Sequence, residues 1–185
     1  LDVFRGRELI ETIRPFTDAD LGRRIRLTME GAEYRGRART TNWDGSLTLT
    51  GNSIARAEMF NNWNLDRGIR SESETGLAWK AVTTGNTCGI DLWLDEASAG
   101  ELAIETTHTS PRIKLADIGI DDTVFDAGGL ERMLKLYRLP DAPSQSHVKQ
   151  SFKIAVHETG DTPLFIRVTQ TDGHKAWSSP VYLFR

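Results

Sequence analysis

The four histidines are the side chains of this sequence best suited to bind a metal ion. They are His108, His147, His157 and His174, and they form neither a His-x-His nor a His-Glu-x-x-His motif. A transition-metal site needs several such ligands close together, whereas isolated histidines are typical of surface or hydrogen-bonded positions. The sequence therefore predicts no metal ion and no other cofactor.

Acidic and nucleophilic side chains give no clearer pattern. Asp117, Asp121, Asp122 and Asp126 surround a glycine, but their spacing differs from an EF-hand loop and is typical of capped turns. The single cysteine, Cys88, has no neighbour in sequence that would lower its pKa, and no Gly-x-Ser-x-Gly motif is present. We therefore predict that the 185 residues by themselves are not an enzyme, unless residues distant in sequence form a catalytic cluster in the fold.

Five tryptophans are many for 185 residues, and two of them lie where a ring could meet a ligand. Trp43 and Trp63 fall in predicted turns among asparagines, a composition that favours stacking on a sugar or contact with another domain. A ring folded over the end of a β-sandwich explains the same pattern equally well. Trp79, Trp93 and Trp177 lie in predicted strands, where packing in the core is expected. The candidate ligand-binding residues are Asn42, Trp43, Asn61, Asn62 and Trp63.

Composition excludes several classes of protein. A net charge of −3 and the lack of any long lysine or arginine cluster argue against binding to nucleic acids or membrane surfaces. No apolar run reaches membrane-spanning length, and a single cysteine excludes an internal disulfide. One cysteine favours a reducing compartment such as the cytoplasm, although a secreted bacterial domain without disulfides would have the same composition.

Hydrophobic periodicity predicts an all-β protein. Apolar and polar residues alternate in segments such as Arg24–Glu30, and about ten such segments recur at the spacing typical of a sandwich or barrel. Val148–Val156 is expected to be one of these strands. No helical segment is long enough to connect parallel strands, so the sheets are expected to be antiparallel. We predict an antiparallel two-sheet β-sandwich over residues 23–185, with less than about 15% helix.

Three glycine-containing dipeptides are expected to form the turns of β-hairpins, namely Asp44-Gly45, Gly85-Asn86 and Asp172-Gly173. In the last and clearest hairpin, a two-residue type I′ turn would pair Val168 with Trp177 and Leu164 with Val181. Trp177 then shares one face with Ile166 and Val181, and that face is expected to pack on a core.

Apolar and polar residues alternate least regularly in residues 1–22. We interpret them as an N-terminal arm or linker from an upstream domain, and a short helix over Phe4–Glu11 is the alternative. The sequence begins at Leu1 and carries no signal peptide, so we interpret it as a segment of a longer polypeptide. The chemistry of that polypeptide is then expected to lie in the missing part.

Two stretches, Thr84–Leu94 and Arg167–Pro180, resemble a known family, and Arg39–Gly45 also looks similar to it. The family comprises bacterial proteins with an N-terminal metallohydrolase domain of the polymerase-and-histidinol-phosphatase (PHP) type, and the resemblance is to their C-terminal β-sandwich region. Family catalysis resides in a barrel whose metal ligands begin with a His-x-His motif. That motif is absent here, so the resemblance assigns no catalytic or metal-binding role to any residue of this chain.

The resemblance implies a non-catalytic accessory domain that packs against its upstream domain or against a second copy of itself. The alternative is a carbohydrate-binding module. Packing requires a continuous apolar patch that includes residues of the N-terminal arm, such as Val3, Phe4 and Ile10. Sugar binding requires that the ring faces of Trp43 and Trp63 be open and roughly coplanar.

Overall fold

The computed structural model describes residues 1–36, 39–142, 147–151 and 153–184. Over these ranges the protein has seventeen β-strands, no α-helix and two 3-10 turns of three residues each. Every strand pairing in these ranges is antiparallel. The predicted all-β antiparallel fold with little helix is confirmed. In the part of the chain that is described, no helix is both long enough and apolar enough to span a membrane.

The strands are short and follow one another closely. In chain order they are β1 (Asp2–Arg5), β2 (Glu8–Thr12), β3 (Arg24–Ala32), β4 (Thr41–Asn42), β5 (Gly45–Thr50), β6 (Ile54–Phe60), β7 (Gly68–Glu72), β8 (Gly76–Lys80), β9 (Val82–Thr83), β10 (Cys88–Leu94), β11 (Glu101–Thr106), β12 (Arg112–Lys114), β13 (Thr123–Asp126), β14 (Leu130–Leu139), β15 (Thr162–Thr169), β16 (Lys175–Trp177) and β17 (Val181–Leu183). They belong to two compact units. Residues 17–143 form one, here called the central unit, and residues 1–16 with 144–185 form the other, here called the terminal unit.

The central unit is a β-sandwich. One five-stranded sheet has the order β13-β14-β3-β10-β6, the other has the order β12-β11-β5-β8-β7, and β4 pairs with β9 separately. Side chains of both sheets meet in one buried cluster, because alternate residues of each strand point to the same side. Among its fully or almost fully buried members are Ile25, Leu27, Met29, Leu47, Leu49, Leu77, Trp79, Ile90, Leu92, Leu102, Ile104, Leu134 and Leu136.

The outward-facing residues of β3 and β10 form a buried charge cluster that the sequence did not predict. Asp91 accepts hydrogen bonds from Arg24 Nη2 at 2.6 Å and from Arg26 Nε and Nη2 at 2.6 and 2.8 Å. All three residues are at most 5% exposed. Two guanidinium groups therefore share one carboxylate on the side of the sheet opposite to the apolar core.

Two of the three predicted hairpins in the chain do not form. After Asp44-Gly45, β5 pairs with β8 and β11 and leaves β4 to pair with β9. The Asp44 carboxylate instead accepts a hydrogen bond from Arg67 Nη1 at 3.1 Å, so it anchors a bend. Gly85-Asn86 connects β9 to β10, which pairs with β3 and β6. Strands expected to be neighbours, β8 and β10, therefore face each other across the core in different sheets.

The terminal unit is a five-stranded sheet in which β15 is central. β1 pairs with one side of β15, β16 and β17 pair with its other side, and β2 pairs with β1. Residues 2–12 are thus a β-hairpin and not a short helix, since Gly6 at φ +60° allows the turn between β1 and β2. The role of residues 1–22 as a connection to an upstream domain stays a prediction.

The C-terminal hairpin forms with a different turn and register from those expected. Gln170 and His174 close a three-residue loop, in which Gly173 has φ +88°. Such a loop shifts the register by one residue, so that Trp177 lies opposite Arg167 and not opposite Val168. Leu164 does pair with Val181, as expected. The strand expected at Val148–Val156 is absent from residues 148–151 and 153–156, and Phe152 lies outside the described residues.

Candidate interaction surface

Trp43, the first of the two predicted ligand-binding tryptophans, lies in the core of the central unit. Its side chain is 0% exposed, and its indole Nε1 donates a hydrogen bond to Thr83 Oγ1 at 3.0 Å. The backbone oxygen of Trp43 in turn accepts a hydrogen bond from Trp79 Nε1 at 2.6 Å. The ring has no free face for a ligand. The expectation that Trp43 and Trp63 together form a sugar-binding surface is therefore wrong. The Trp43 ring is buried in the core, where Thr83 Oγ1 accepts the hydrogen bond of its indole nitrogen.

The other predicted site residues also bond within the protein. The side-chain amide of Asn61 donates to the backbone oxygen of Thr87, and that of Asn62 donates to the backbone oxygen of Arg67 at 3.2 Å. Trp63 is 58% exposed, so it is the one open ring of the predicted pair. The backbone oxygen of Asn42 contacts His108 Nε2 at 2.8 Å. Asn61 and Asn62 therefore support turns, Asn42 is exposed, and of the two predicted rings only Trp63 is open to solvent.

The terminal unit instead presents an apolar groove on one face of its sheet. The groove has a volume of about 300 Å³, and its lining residues are Val3, Ile154, Leu164, Phe165, Ile166, Ser178 and Val181. No charged side chain is among them. The Ser178 hydroxyl already accepts a hydrogen bond from the Ile166 backbone nitrogen at 3.0 Å, which leaves apolar surface as the main feature of the groove.

Strand pairing explains why Val3, Leu164, Ile166 and Val181 share a face. Val3 lies opposite Ile166, and Leu164 lies opposite Val181, so four apolar side chains project to the same side of the sheet. Ile154 joins them from the segment that precedes β15. The Arg5 guanidinium holds that segment near the sheet, since its Nη1 donates a hydrogen bond to the Ala155 backbone oxygen at 2.8 Å.

Much of this apolar face is in contact with solvent. Val181 is 62% exposed, and Ile166 and Val168 are 38% and 39% exposed, whereas Val3 is 5% exposed. Isolated exposed aliphatic residues are common, but a contiguous apolar patch with a groove is typical of a surface that contacts a protein or a ligand. The periodicity of β15 indicated that Leu164, Ile166 and Val181 share a face. The sequence did not indicate that this face is partly open.

The opposite face of the same sheet carries aromatic rings and an ion pair. The rings of Phe4 and Phe165 are stacked with centroids 4.8 Å apart, and the Arg167 guanidinium lies 5.0 Å from the Phe4 centroid. Asp2 accepts two hydrogen bonds from Arg167 at 2.8 and 3.0 Å. Beside Arg167, Trp177 is 61% exposed, which corrects the expectation that it packs in a core. The one-residue register shift placed it on this face.

Cys88 is the one nucleophilic thiol of the chain, and it is buried at the start of β10. Burial raises the pKa of the Cys88 thiol to about 12. We therefore expect about one thiolate in ten thousand at pH 8 and very slow reaction of the folded protein with a disulfide reagent such as Ellman's reagent. The measurement is the rate at which reaction with Cys88 releases the coloured thiolate of the reagent, in native buffer and in urea. Rapid stoichiometric labelling in native buffer would contradict this expectation.

Among the residues that the structure describes, no three His, Cys, Asp or Glu side chains come together in a group that could hold a metal ion. Comparisons of the chain with protein-family models, with curated proteins and with solved structures find no match.

Proposed function

We propose that the chain is a non-catalytic accessory β-sandwich of a larger, metallohydrolase-type protein and that it acts by packing against another domain. The observation that carries this proposal is the apolar groove of the terminal unit, which is open and has no charged side chain in its lining. Burial of exposed apolar surface is the main favourable term in most protein associations. The groove is thus the part of the described chain best suited to bind another protein surface.

The occupant that fits the groove is an uncharged apolar segment of the metallohydrolase-type domain. A charged group would lose its hydration in this groove and gain no partner, which is unfavourable. Val181 and Ile166 lie where they can surround an inserted aliphatic or aromatic side chain, and such anchors contribute most of the binding energy in protein interfaces. The sequence resemblance at residues 167–180 supports this choice, because it involves the same C-terminal hairpin.

The groove is tested with a matched pair of variants. Val181→Asp places a charge in the groove, and Val124→Asp places the same charge at an exposed valine of the central unit. We expect the wild-type chain to bind the uncharged hydrophobic dye Nile red saturably, Val181→Asp to lose that binding and Val124→Asp to keep it. Equal dye binding by all three proteins would argue against the groove as a docking surface.

The identity of the occupant is tested separately. We expect the reading frame upstream of the Leu1 codon to encode a domain with histidine-rich metal motifs, and that domain to bind the wild-type chain but not Val181→Asp. Sedimentation velocity over a range of concentrations tests the other occupant, a second copy of the chain. Concentration-dependent dimers that Val181→Asp abolishes would assign the groove to self-association.

The absence of catalysis in the chain alone is tested with metal-dependent phosphoesterase assays of the purified protein. We expect no turnover above that of the buffer with added metal ions. Turnover that a point substitution within the chain abolishes would overturn this part of the proposal.

The opposite face of the terminal sheet favours a second candidate function, carbohydrate binding. The exposed ring of Trp177 lies opposite Arg167, and Arg167 pairs with Asp2 of the strand on its other side, so an aromatic surface and hydrogen-bonding groups occur on one strand face. The test is titration with a panel of polysaccharides, followed by tryptophan fluorescence. Saturable binding that is lost in Trp177→Ala and kept in Trp63→Ala would favour this function over packing.

A further inference from the structure

A second cavity lies in the central unit, where the ends of β3 and β14 approach the connection between β9 and β10. It has a volume of about 420 Å³, and its lining includes Tyr34, Arg35, Arg39, Gly85, Gly129 and Glu131. Its surface combines polar side chains with glycine backbone, in contrast to the apolar groove of the terminal unit. The packing role proposed above does not use this cavity.

Arg39 is held at the cavity by the backbone. Its Nε donates a hydrogen bond to the Thr84 backbone oxygen at 2.9 Å. Gly85 has φ +91°, and a Cβ atom at this position would lie 2.7–2.8 Å from the Arg39 guanidinium. The glycine therefore lets the guanidinium lie against the loop. Neither Nη group of Arg39 makes a hydrogen bond to another residue of the described ranges.

The charges around the cavity favour an anion. Arg35 forms no ion pair or hydrogen bond with any residue that the structure describes, whereas the nearby Arg132 contacts the Glu33 carboxylate and donates to the Ala127 backbone oxygen at 3.0 Å. Glu131 is the one carboxylate among the described lining residues. Two guanidinium groups and one carboxylate leave a local excess of positive charge in a chain whose net charge is −3.

We propose that this cavity binds a small anion through a carboxylate or phosphate group, with Arg35 and Arg39 as its ligands. The guanidinium group presents parallel N–H donors that match the two oxygens of a carboxylate or phosphate, and such bidentate bonds are among the strongest hydrogen bonds in proteins. The negative charge of Glu131 repels anions, and this repulsion grows with the charge of the anion. We therefore expect the cavity to bind an anion of low charge more tightly than a polyphosphate.

The test is a nuclear magnetic resonance titration of the full ¹⁵N-labelled chain with inorganic phosphate and, separately, with acetate at constant ionic strength. We expect saturable shifts at the backbone amides of Gly85, Gly129 and Glu131. Arg35→Gln and Arg39→Gln should each weaken binding at least about tenfold, because each removes a charge-assisted hydrogen bond. Arg39→Lys keeps the charge but not the paired donors, and it should weaken binding to a lesser degree.

Arg112→Gln is the matched control, since Arg112 is an exposed arginine of β12 and its loss changes the net charge by the same amount. Its binding should equal that of the wild-type chain. Saturation by phosphate alone would identify a phosphate site, and saturation by acetate alone would identify a carboxylate site. Shifts that increase linearly without saturation, or equal weakening in Arg112→Gln, would overturn the proposal.

Discussion

Asp91→Ala is expected to lower the free energy of unfolding by about 3–5 kcal/mol, because it removes the carboxylate that two buried arginines share. Arg24 and Arg26 are each 5% exposed, and both donate to Asp91 at 2.6 Å. Without Asp91, two positive charges remain in a poorly hydrated site. The buried atom Arg24 Nε already has no hydrogen-bond partner in the described structure, so it cannot provide compensation.

The electrostatics of Arg26 show how strongly the carboxylate acts. Burial tends to lower the pKa of Arg26, but the hydrogen bonds and the negative charge of Asp91, together with a smaller contribution from Tyr137, outweigh it and raise the pKa. The ring of Phe60 adds a cation–π contact, with its centroid 4.0 Å from the Arg26 guanidinium carbon. This contact remains in Asp91→Ala, and at about 1–2 kcal/mol it is too weak to compensate for the lost ion pairs.

Urea unfolding followed by circular dichroism measures the effect, and Glu58→Ala is the control. Glu58 lies directly opposite Asp91 on β6 and pairs with Arg56, but both side chains of that pair are more than 50% exposed. Its loss should cost less than about 1 kcal/mol, as is typical of surface ion pairs. Similar losses in Asp91→Ala and Glu58→Ala would show that the charge cluster is hydrated and contributes little.

Trp43→Ala is expected to lower the free energy of unfolding by about 3–5 kcal/mol, the usual loss for a large aromatic side chain in a core. Trp43 is fully buried, and its indole nitrogen donates a hydrogen bond to Thr83 Oγ1. Truncation leaves a cavity beside Trp79 and removes the hydrogen bond that Thr83 Oγ1 accepts, so that this hydroxyl keeps only its bond to the Gly31 backbone oxygen. Both effects act in the same direction.

Trp63→Ala provides the comparison, since the same substitution is made at a ring that is 58% exposed. It should change the free energy of unfolding by no more than about 0.5 kcal/mol. Chemical denaturation followed by circular dichroism is suitable for both variants, because it does not depend on tryptophan fluorescence. A small loss in Trp43→Ala would contradict the buried position of this ring.

The alternation of apolar residues was sufficient to predict the fold class. Ile25, Leu27 and Met29 of the alternating segment Arg24–Glu30 face the sandwich core and are 0% exposed, but the strand is not half-buried, since Arg24 and Arg26 on its other face are buried too. This prediction succeeds because strand periodicity is a local property of the chain. Residues 4–11, for which a short helix was the alternative, form part of a β-hairpin that pairs with β15, and local propensity does not determine such pairing.

Strand partners and the open or buried state of each ring were determined only by the tertiary structure. Asp44-Gly45 has the sequence of a hairpin turn, yet its flanking strands pair elsewhere, because sheet pairing joins residues far apart in sequence. Trp43 and Trp63 have similar neighbours in sequence and opposite exposure. Three sites likewise combine residues from distant segments, namely the groove, the Arg24–Asp91–Arg26 cluster and the cavity at Arg35 and Arg39. The spacing of these residues in the sequence does not show that they are close in space.

The sequence by itself thus determined an antiparallel all-β protein and core positions such as Ile25, Leu27 and Met29, but not the core position of Trp43. Only the tertiary structure placed the groove and the cavity from which the proposals are argued. The physical reason is that one residue of register shift reverses the face of every following side chain, as it does for Trp177. Local periodicity determines which side chains of a strand share a face. Long-range hydrogen bonding between strands determines which of the two faces is buried and which is exposed.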